Sequence, residues 1–544
     1  MKINLSNIRF QNSMPFRSAV QNMTAAPELR ENKAPIPVYG NDDIRTNPAQ
    51  LSIFHMHDFH GQNIRMERAY TAVRQFDRNM LQNQNEIFDT NLPIDKLKFC
   101  SGDMFLGNNP EEIAVVNEFL NIAGVLADAI GNHECDSKID RFAEIVKDRK
   151  YRLVGANMNP NDGNKMNSVL SSSFIAEVHG NKYGVIGLVP LDMRAHVRYQ
   201  TDIDEFNIEN LEKSIETVKE EVAKIKEYGV NKIIVLSHMG LKNDQYLAQK
   251  VSDIDIILGG HSHDLLKEIK EGENLFYSSK NEPVIIMQVG RDGEFIDIPN
   301  IKFNELGQIT GIQYNIVRTD NFDRNYVAKT DFDKILGEPE IVGKISKVED
   351  EGINIYINEN PHCDFITDAM RAELGTDIAV MNASNARSRF YKGTVDTRDL
   401  RLITPFSNKM AIIELSEEEI VNSLNHLINA SLKSPDHRPG IMQVSGLRYT
   451  YSKSSGKMTE LYFIDKNGQE HQINLENPDK NKIYTVTADD FCIASDYAGF
   501  NAKDRLNNAI AVFDFDKDKF VADYMKKHSE PFEIKCDGRI KIVD

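Results

Sequence analysis

The stretch Leu258-Gly-Gly-His261-Ser-His263-Asp264 places two histidines directly after a short β-branched run, Val251–Ile257. Such a run predicts a buried strand, and the two glycines let the backbone turn sharply where that strand ends. Residues two apart in an extended backbone point the same way, so we expect the rings of His261 and His263 to face one pocket. A single His-x-His pair also arises by chance, so a metal site is predicted only if matching ligands follow other strands.

Four further groups of polar residues follow predicted strands, each at the point where the strand ends. They are Asp58 and His60 after Leu51–Phe54, Asp103 after Lys96–Cys100, Asn132 and His133 after Val125–Ile130, and His238 after Lys232–Leu236. Open α/β sheets form their sites beyond the carboxyl ends of strands, so we expect the five groups to meet. Carboxylate, amide and imidazole ligands without a thiolate suit zinc, manganese or iron, and they are numerous enough for two ions that share a bridge.

Length and composition restrict the class of protein. A chain of 544 residues with 41% apolar content predicts two or three domains with substantial cores. The net charge of −18 argues against a nucleic-acid polymer as partner, because no basic face is available to displace counterions. A small anionic substrate stays compatible with this charge, since bound metal ions reverse the local field.

Cysteine usage and hydropathy make three further predictions. The five cysteines are scattered and never in C-x-x-C spacing, which predicts neither disulfides nor a thiolate zinc site. No run of about 18 apolar residues occurs, so no transmembrane segment is predicted. Residues 1–27 lack the apolar core of a secretory signal, which predicts a flexible tail and a cytoplasmic location. A short amphipathic tether or an unusual export segment is the alternative.

The pattern of apolar residues predicts two α/β segments. Strand-like runs alternate with helix-like stretches over residues 51–303, including a long charged helix near Ile208–Tyr228. The charged and weakly apolar segment that follows, around residues 320–350, suits a linker with a short helix. A second α/β segment starts near Ile353 and includes a predicted helix over Ser416–Leu432, which opens with a Ser-Glu-Glu-Glu capping box.

The motifs D-x-H, G-D, G-N-H-E, S-H and G-H-S-H, in this order, resemble the calcineurin-like metallophosphoesterases. The continuation to residue 544 resembles their two-domain branch, the 5′-nucleotidases. The resemblance covers about residues 50–540 and implies an α/β (α+β) fold, with a four-layer β-sandwich flanked by helices and a smaller α/β C-terminal domain. The implied segments are a tail over 1–48, a metallophosphoesterase domain over 49–320, a linker or hinge over 321–350 and a substrate-binding domain over 351–544.

The resemblance also implies a role for each residue of the five groups. One divalent ion would be held by Asp58, His60 and His263 and the other by Asn132, His238 and His261, with Asp103 bridging the two. The ions would be zinc, manganese, cobalt or iron. His133 would stand beside the leaving-group oxygen as a stabiliser or acid, oriented by Asp136. His55 and His57 lie outside the motif pattern, and we expect them to be structural.

Three segments of the C-terminal half resemble the substrate-binding loops of these nucleotidases. Residues 382–387 resemble the N-G-G-x-I-R loop with both glycines replaced, residues 404–408 resemble the P-F-x-N segment, and residues 490–496 resemble the F-L-A-x-G-G-D segment, one residue short. The implied substrate-binding residues are Asn382, Arg387, Phe406, Phe491 and Asp496. The two phenylalanines would stack on opposite faces of a base. Tyr356 stands where relatives often carry a phosphate-binding arginine.

The predicted function is therefore that of a dinuclear-metal phosphohydrolase that converts a nucleoside 5′-monophosphate into nucleoside and phosphate. A 2′,3′-cyclic nucleotide and a nucleotide sugar or other pyrophosphate are alternative substrates. A low-activity binding or surface-interaction protein on the same fold is an alternative of another class; Tyr356 and the replaced glycines favour it and the complete ligand set opposes it. The partner is a small-molecule nucleotide, the sequence does not predict the oligomeric state, and a periplasmic or extracellular location is the alternative that the resemblance implies.

Overall fold

The computed structural model describes a chain of two compact units, which divide between Gly337 and Glu338. The division lies inside residues 321–350, the segment predicted as a linker or hinge. Helix Tyr326–Leu336 of that segment belongs to the first unit and strand Ile341–Val348 to the second. The described residues are 44–81, 88, 91–193, 205–350, 353–406, 408–433, 440–495, 499–514 and 516–544. Most of the predicted tail, residues 1–43, therefore lies outside the described residues.

The described residues of the first unit contain two large sheets and several helices. Its strands are β1 (Ala49–Met56), β2 (Ile94–Cys100), β3 (Ala127–Ala129), β4 (Arg152–Val154), β5 (Met158–Pro160), β6 (Leu170–Ser171), β7 (Ser173–Val178), β8 (Asn181–Leu188), β9 (Phe206–Ile208), β10 (Ile233–Ser237), β11 (Ile256–Gly259), β12 (Leu275–Tyr277), β13 (Pro283–Met287), β14 (Phe295–Phe303) and β15 (Ile309–Arg318). Its helices are α1 (Asn63–Asp77), α2 (Pro110–Ala123), α3 (Ile139–Ile145), α4 (Leu211–Glu227), α5 (Leu241–Lys250) and α6 (Tyr326–Leu336). The sheets have the strand orders β15-β14-β1-β2-β3-β4-β6 and β12-β13-β11-β10-β8-β7.

The two large sheets pack face to face, and helices cover the outer face of each. Successive side chains of a strand point to opposite faces. Ile53 of β1 accordingly lies in a core shared with Leu236 and Leu258 of the other sheet, whereas Phe54 packs in a separate core with α1 and α2. Helices α4 and α5 cover the outer face of the six-stranded sheet. This arrangement of helix, sheet, sheet and helix confirms the predicted four-layer α/β sandwich.

Parallel pairing within both sheets determines where the predicted ligand groups lie. Strands β1, β2, β3 and β4 are parallel neighbours in one sheet, and β8, β10, β11 and β13 are parallel neighbours in the other. The predicted groups follow the carboxyl ends of β1, β2 and β3 in one sheet and of β10 and β11 in the other. Both sheets of the sandwich therefore contribute loops to the candidate site.

The second unit is a smaller α/β structure built around a five-stranded sheet. Its strands are β16 (Ile341–Val348), β17 (Ile378–Asn382), β18 (Gly393–Asp396), β19 (Met410–Ser416), β20 (Met442–Ser445), β21 (Leu447–Ser452), β22 (Lys457–Ile464), β23 (Glu470–Gln472), β24 (Ile483–Asp489), β25 (Ala511–Phe513), β26 (Phe532–Ile534) and β27 (Ile540–Val543). Its helices are α7 (Pro361–Leu374), α8 (Thr397–Ile403), α9 (Glu417–Lys433), α10 (Asp490–Ala494), α11 (Lys503–Asn507) and α12 (Lys517–Lys526). The central sheet has the order β20-β17-β24-β19-β25.

Two apolar cores lie on opposite faces of this central sheet. Val380 of β17 packs in the core that includes α9, and its neighbour Met381 packs in the core that includes α7 and α12. The predicted capping box is present at α9, where the Ser416 amide donates to Glu419 Oε2 at 2.8 Å and the Glu419 amide donates to Ser416 Oγ at 3.3 Å. The helix predicted over residues 416–432 is confirmed, with both ends shifted by one residue.

The cysteines and the lengths of the helices bear on two of the expectations from composition. All five cysteines are free thiols, four of them buried and Cys536 partly exposed. Among the described helices, none has the length and apolar character required to cross a bilayer. The absence of disulfides agrees with the scattered spacing of the cysteines.

The two large sheets approach each other closely at Gly187 of β8, which predicts a steric limit at this position. A methyl group on Gly187 would lie 2.4 Å from both the Cβ and the carbonyl carbon of Val154 in β4. Gly187→Ala is therefore expected to lower the free energy of unfolding by about 1–3 kcal/mol, because overpacking forces the sheets apart. Thermal and urea unfolding measure the change. Gly311→Ala is the control, since its added methyl would meet nothing closer than 3.9 Å, and an equal loss in both variants would contradict the steric explanation.

Candidate metal centre

The loops that follow five strands meet at one buried centre, as the sequence predicts. Three overlapping sets of side chains have ligand atoms within 4.8 Å of one another here. One is His60, Asp103 and His133, and the two sets that include the Gly-Gly-His-Ser-His loop are Asp58, His60 and His263, and Asp103, His238 and His261. Residues of both sets are buried except for the two histidines of the Gly-Gly-His-Ser-His loop, which are partly exposed. The structure thus divides that histidine pair between the two sets.

The carboxylate of Asp103 lies between His60 of the first set and His238 of its own set. Its Oδ2 is 3.5 Å from His60 Nε2 and 3.2 Å from His238 Nε2. Asp58 Oδ1 is 3.2 Å from His263 Nε2 and 3.8 Å from His238 Nε2, so the ligand atoms converge on one small volume. Asn132 is buried in the loop after β3, immediately before a 3-10 turn over His133–Cys135.

The donor set fits divalent metal ions. Asp58 Oδ1 and His238 Nε2 are fully buried, yet neither has a hydrogen-bond partner among the described residues. Buried polar atoms in folded proteins are almost always paired, so these two atoms, 3.8 Å apart, fit the role of ligands to a cation. Carboxylate oxygens and imidazole nitrogens without a nearby thiolate are the ligands of zinc, manganese, cobalt and iron.

The electrostatics of the centre favour the ligand forms of its carboxylates. Burial penalises charge on Asp103, but His238 and His133 outweigh it and hold the pKa of that carboxyl well below its usual range. Burial lowers the pKa of His238, but Asp103 and Asp58 raise it to about 10 overall, whereas burial lowers the pKa of His263 to about 4. Metal ligands must be deprotonated, so protons compete with a metal more strongly at His238 than at His263.

A second layer of polar groups orients the candidate ligands. His60 Nδ1 lies 2.8 Å from Asp292 Oδ1, and His238 Nδ1 donates to the Ser101 carbonyl oxygen at 2.5 Å. His57 Nδ1 contacts Asp58 Oδ2 at 2.6 Å. Such partners fix the tautomer and ring orientation of a ligating histidine and raise its basicity. His57 is therefore a support for a ligand, in keeping with its expected structural role.

Buried Glu134 joins the loops that follow β2 and β3. Its carboxylate accepts hydrogen bonds from the backbone amides of Asp103 at 3.2 Å, Met104 at 3.1 Å and Gly131 at 2.7 Å. Space is short here, because a methyl group on Gly131 would lie 2.3 Å from Asp103 Oδ1. Glu134 and the glycine together set the position of the shared carboxylate.

His133 and Asp136 form the predicted pair beside the metal ligands. His133 Nδ1 lies 2.7 Å from Asp136 Oδ2, which also accepts a hydrogen bond from the Gly107 amide at 2.7 Å. Burial opposes charge on Asp136, but His133 outweighs it and lowers the pKa of the carboxyl. His133 Nε2 lies 4.0 Å from Asp103 Oδ2, so the other side of the ring faces the centre.

The residues predicted to bind substrate lie in the second unit. Asn382 is buried at the end of β17, and the Arg387 guanidinium lies over the ring of Phe406, 5.7 Å from its centroid. Phe491 lies on α10 and is partly exposed. Tyr356 is buried beside the same loop, with Ala383 as a neighbour across Gly440. Asp496 lies outside the described residues.

Two family models match the chain, one in each unit. Residues 51–265 match the calcineurin-like phosphoesterase model, and residues 341–505 match the model of the 5′-nucleotidase C-terminal domain. The chain belongs to the 5′-nucleotidase family. Family membership implies the use of a divalent metal and a phosphoester as the substrate class, and it confirms the resemblance of the motifs.

Named relatives of this nucleotidase-family chain are distant. It is 22% identical to the trifunctional nucleotide phosphoesterase protein YfkN of Bacillus subtilis, over 99% of this chain but only 38% of that protein. It is 23% identical to the 5′-nucleotidase of Mus musculus, over 72% of each chain. The crystal structure of a 5′-nucleotidase precursor from Thermus thermophilus superposes with a TM-score of 0.70 at 22% identity, covering 91% of this chain and 99% of that one. This last similarity shows that the fold is shared.

Motif reasoning missed the residues that hold the ligands of this nucleotidase-family centre. Asp292 lies in the loop after β13 and belongs to none of the five motifs. Glu134 lies inside the G-N-H-E motif but was assigned no role. The backbone conformation of the structure does mark Asp292 as part of the centre. Six residues of the centre have φ between 48° and 76°, and they are Asp58, His60, Asp103, His261, His263 and Asp292. Such strained conformations cluster at functional sites.

Asp292 provides a test of ligand orientation in the nucleotidase-family centre. Asp292→Asn is expected to weaken metal affinity about 10–100-fold, because the amide no longer provides a charged partner for His60 Nδ1. Titration of the metal-free protein against a competing chelator measures the change. Asp320→Asn, which alters a half-exposed carboxylate, is the control. Equal affinities for Asp292→Asn and the wild type would show that Asp292 does not support His60.

Proposed function

We propose that the protein is a dinuclear-metal phosphohydrolase that removes phosphate from nucleotides, most simply by converting a nucleoside 5′-monophosphate into nucleoside and phosphate. One observation carries the proposal: within a phosphoesterase domain, the Asp103 carboxylate lies 3.5 Å from His60 of one set of candidate metal ligands and 3.2 Å from His238 of the other. The nucleotide as substrate rests on the 5′-nucleotidase C-terminal domain that follows in the same chain.

The proposed ligands divide between two divalent ions. Asp58, His60 and His263 would hold one, Asn132, His238 and His261 would hold the other, and Asp103 would contribute to both. Two such ions supply neutralisation of phosphoryl charge and a nucleophile at neutral pH. The ligands of both ions come from loops that two packed sheets hold in place, so the packing of the sheets would set the distance between the ions.

His133 assists departure of the leaving group in this proposal. Its Nδ1 is held by the buried Asp136 carboxylate, which a lowered pKa keeps ionised. An ionised partner at Nδ1 stabilises the imidazolium, so Nε2 can donate a proton to the oxygen that leaves the phosphoryl group. The ring needs no reorientation, because the same edge already faces the shared carboxylate of Asp103.

The second unit is proposed to recognise the nucleoside. Phe406 and Phe491 offer aromatic faces for stacking on a base, which suits any base because each has a π-face. Arg387 lies over Phe406 and carries the positive charge that a phosphate or ribose oxygen would engage. Asn382 adds a buried amide at the end of β17.

A nucleotide phosphodiester is the second candidate substrate, favoured by Tyr356. This residue is a buried, uncharged phenol at the position where the resemblance leads us to expect a phosphate-binding arginine. A phosphodiester carries one negative charge where a phosphomonoester carries up to two, so it needs fewer cationic contacts. A 2′,3′-cyclic nucleotide therefore belongs in any substrate panel, together with a nucleotide sugar.

Phosphate release from nucleoside monophosphates, together with chromatography of the nucleotide products for the diester and pyrophosphate substrates, tests the catalytic assignment. We expect metal-dependent turnover with zinc, manganese or cobalt, complete loss on chelation, and recovery when the metal is restored. Asp103→Ala should lower kcat by about 10³-fold or more, since a shared ligand is removed and both metals are affected. Turnover of Asp103→Ala at the wild-type rate would overturn the proposal. A metal-loaded wild-type protein without turnover would instead indicate a binding protein on this fold.

The two phenylalanines test nucleoside recognition. Phe406→Ala and Phe491→Ala should each raise KM for a nucleotide about 5–100-fold, because base stacking contributes about 1–3 kcal/mol per ring. Hydrolysis of p-nitrophenyl phosphate, which has no base, measures the metal centre separately and should change little. Tyr391→Ala is the control, because it removes a half-exposed ring from the same unit. Unchanged nucleotide KM in both phenylalanine variants would exclude base stacking.

A further inference from the structure

A fully buried ion pair lies beneath the proposed nucleoside-binding segments of the second unit. Asp489 ends β24, Lys517 begins α12, and each is 1% exposed. The Lys517 Nζ and Asp489 Oδ2 atoms are 2.5 Å apart. Burying both charges costs desolvation energy that their attraction only partly offsets, so such a pair calls for an explanation beyond stability.

The same carboxylate contacts all three segments that the proposed function assigns to the nucleotide. Asn385, from the segment 382–387, donates through Nδ2 to Asp489 Oδ2 at 2.9 Å. Asn408, two residues after Phe406, also hydrogen-bonds to Asp489 through its side chain. The Cys492 amide donates to Asp489 Oδ1 at 2.6 Å, which makes Asp489 the N-cap of the helix that bears Phe491.

The chemistry of the carboxylate fixes the orientation of both amides. An ionised carboxylate accepts hydrogen bonds and donates none, so Asn385 and Asn408 must turn their Nδ2 groups toward it. Burial opposes charge on Asp489, but Lys517 outweighs it and lowers the pKa of the carboxyl. Lys517 therefore keeps Asp489 in the one form that holds both amides in a single orientation. A neutral amide at this position would both accept and donate hydrogen bonds, so it would not fix the orientation of the Asn385 and Asn408 side chains.

Asn385 belongs to the part of the loop where this chain departs from the N-G-G-x-I-R pattern. The residues between Asn382 and Arg387 are Ala383, Ser384, Asn385 and Ala386, with Asn385 at the variable position. Side chains have replaced both glycines, and a side chain at residue 385 now ties the loop to Asp489. In this chain, therefore, the loop that lacks both glycines is anchored to Asp489 through Asn385.

We propose that Asp489, held ionised by Lys517, is a positioning residue that sets the relative placement of the three nucleoside-binding segments. This inference rests on the proposed nucleotide substrate and adds two residues that touch neither substrate nor metal. Its effect falls on nucleotide KM, because misplacing a binding segment by about 1 Å is enough to lose much of its contribution. Chemistry at the metal centre, which lies in the other unit, is independent of it.

The test combines a charge-neutral double variant with a matched control. Asp489→Asn with Lys517→Met removes both charges together, so no buried charge is left without a partner. Glu417→Gln is the control: this buried carboxylate contacts Lys482 at 2.7 Å and Tyr484, at the opposite end of β24. The measurements are KM and kcat for the best nucleotide of the panel, the rate with p-nitrophenyl phosphate, and the unfolding temperature of each variant.

If Asp489 has this positioning role, the double variant and the control should differ in nucleotide KM. The double variant should raise nucleotide KM about tenfold or more while kcat changes less, and Glu417→Gln should leave KM unchanged even where it lowers the unfolding temperature similarly. Unchanged nucleotide KM in a folded double variant would overturn the inference alone. A parallel KM rise in Glu417→Gln would also overturn it, by showing a general loosening of the unit. Absence of any nucleotide turnover in the wild type would instead overturn the substrate class and this inference with it.

Discussion

One carboxylate has to stand within reach of imidazoles that come from two different sheets, and the first unit is built to meet that condition. Asp103 follows a strand of the seven-stranded sheet, whereas His238 follows a strand of the six-stranded sheet, with 3.2 Å between their nearest ligand atoms. Face-to-face packing of the sheets fixes this distance through the shared core of Leu236, Leu258 and Ile53. Glu134 then locks the Asp103 loop against the neighbouring strand end.

The order of motifs predicted much of this centre because ligand identity is local in sequence. The strand before each group, the glycines that turn the backbone and the residue types at the turn all occupy a few consecutive positions, as at Gly259–His263. The residues that support the ligands could not be predicted in this way. Asp292 meets His60 across 232 positions of sequence, and only the pairing of strands brings the two together. Periodicity and motif spacing carry no information about such long-range contacts.

The second unit was less accessible to sequence reasoning for a related reason. Its proposed nucleoside-binding segments were predicted through Asn382, Arg387, Phe406 and Phe491, which are side chains that would touch a ligand. The pair formed by Asp489 and Lys517 was missed because its members lie in β24 and α12, 28 residues apart, and resemble ordinary surface charges in composition. A lysine that is 1% exposed can be recognised only once the packing is known.

The left-handed backbone at the centre governs which residues the ligand positions tolerate. Asp58 and Asp103 adopt φ of 49° and 51°, a region that asparagine and glycine also enter readily and β-branched residues avoid. Exchange of either aspartate for asparagine therefore removes charge while the loop keeps its shape, whereas valine or threonine would disturb ligand and loop together. Few substitutions at Asp58 and Asp103 are therefore compatible with the backbone. We expect replacements accepted during evolution to be mainly asparagine or glycine, so the conformation of the loops would be retained even where a metal ligand has been lost.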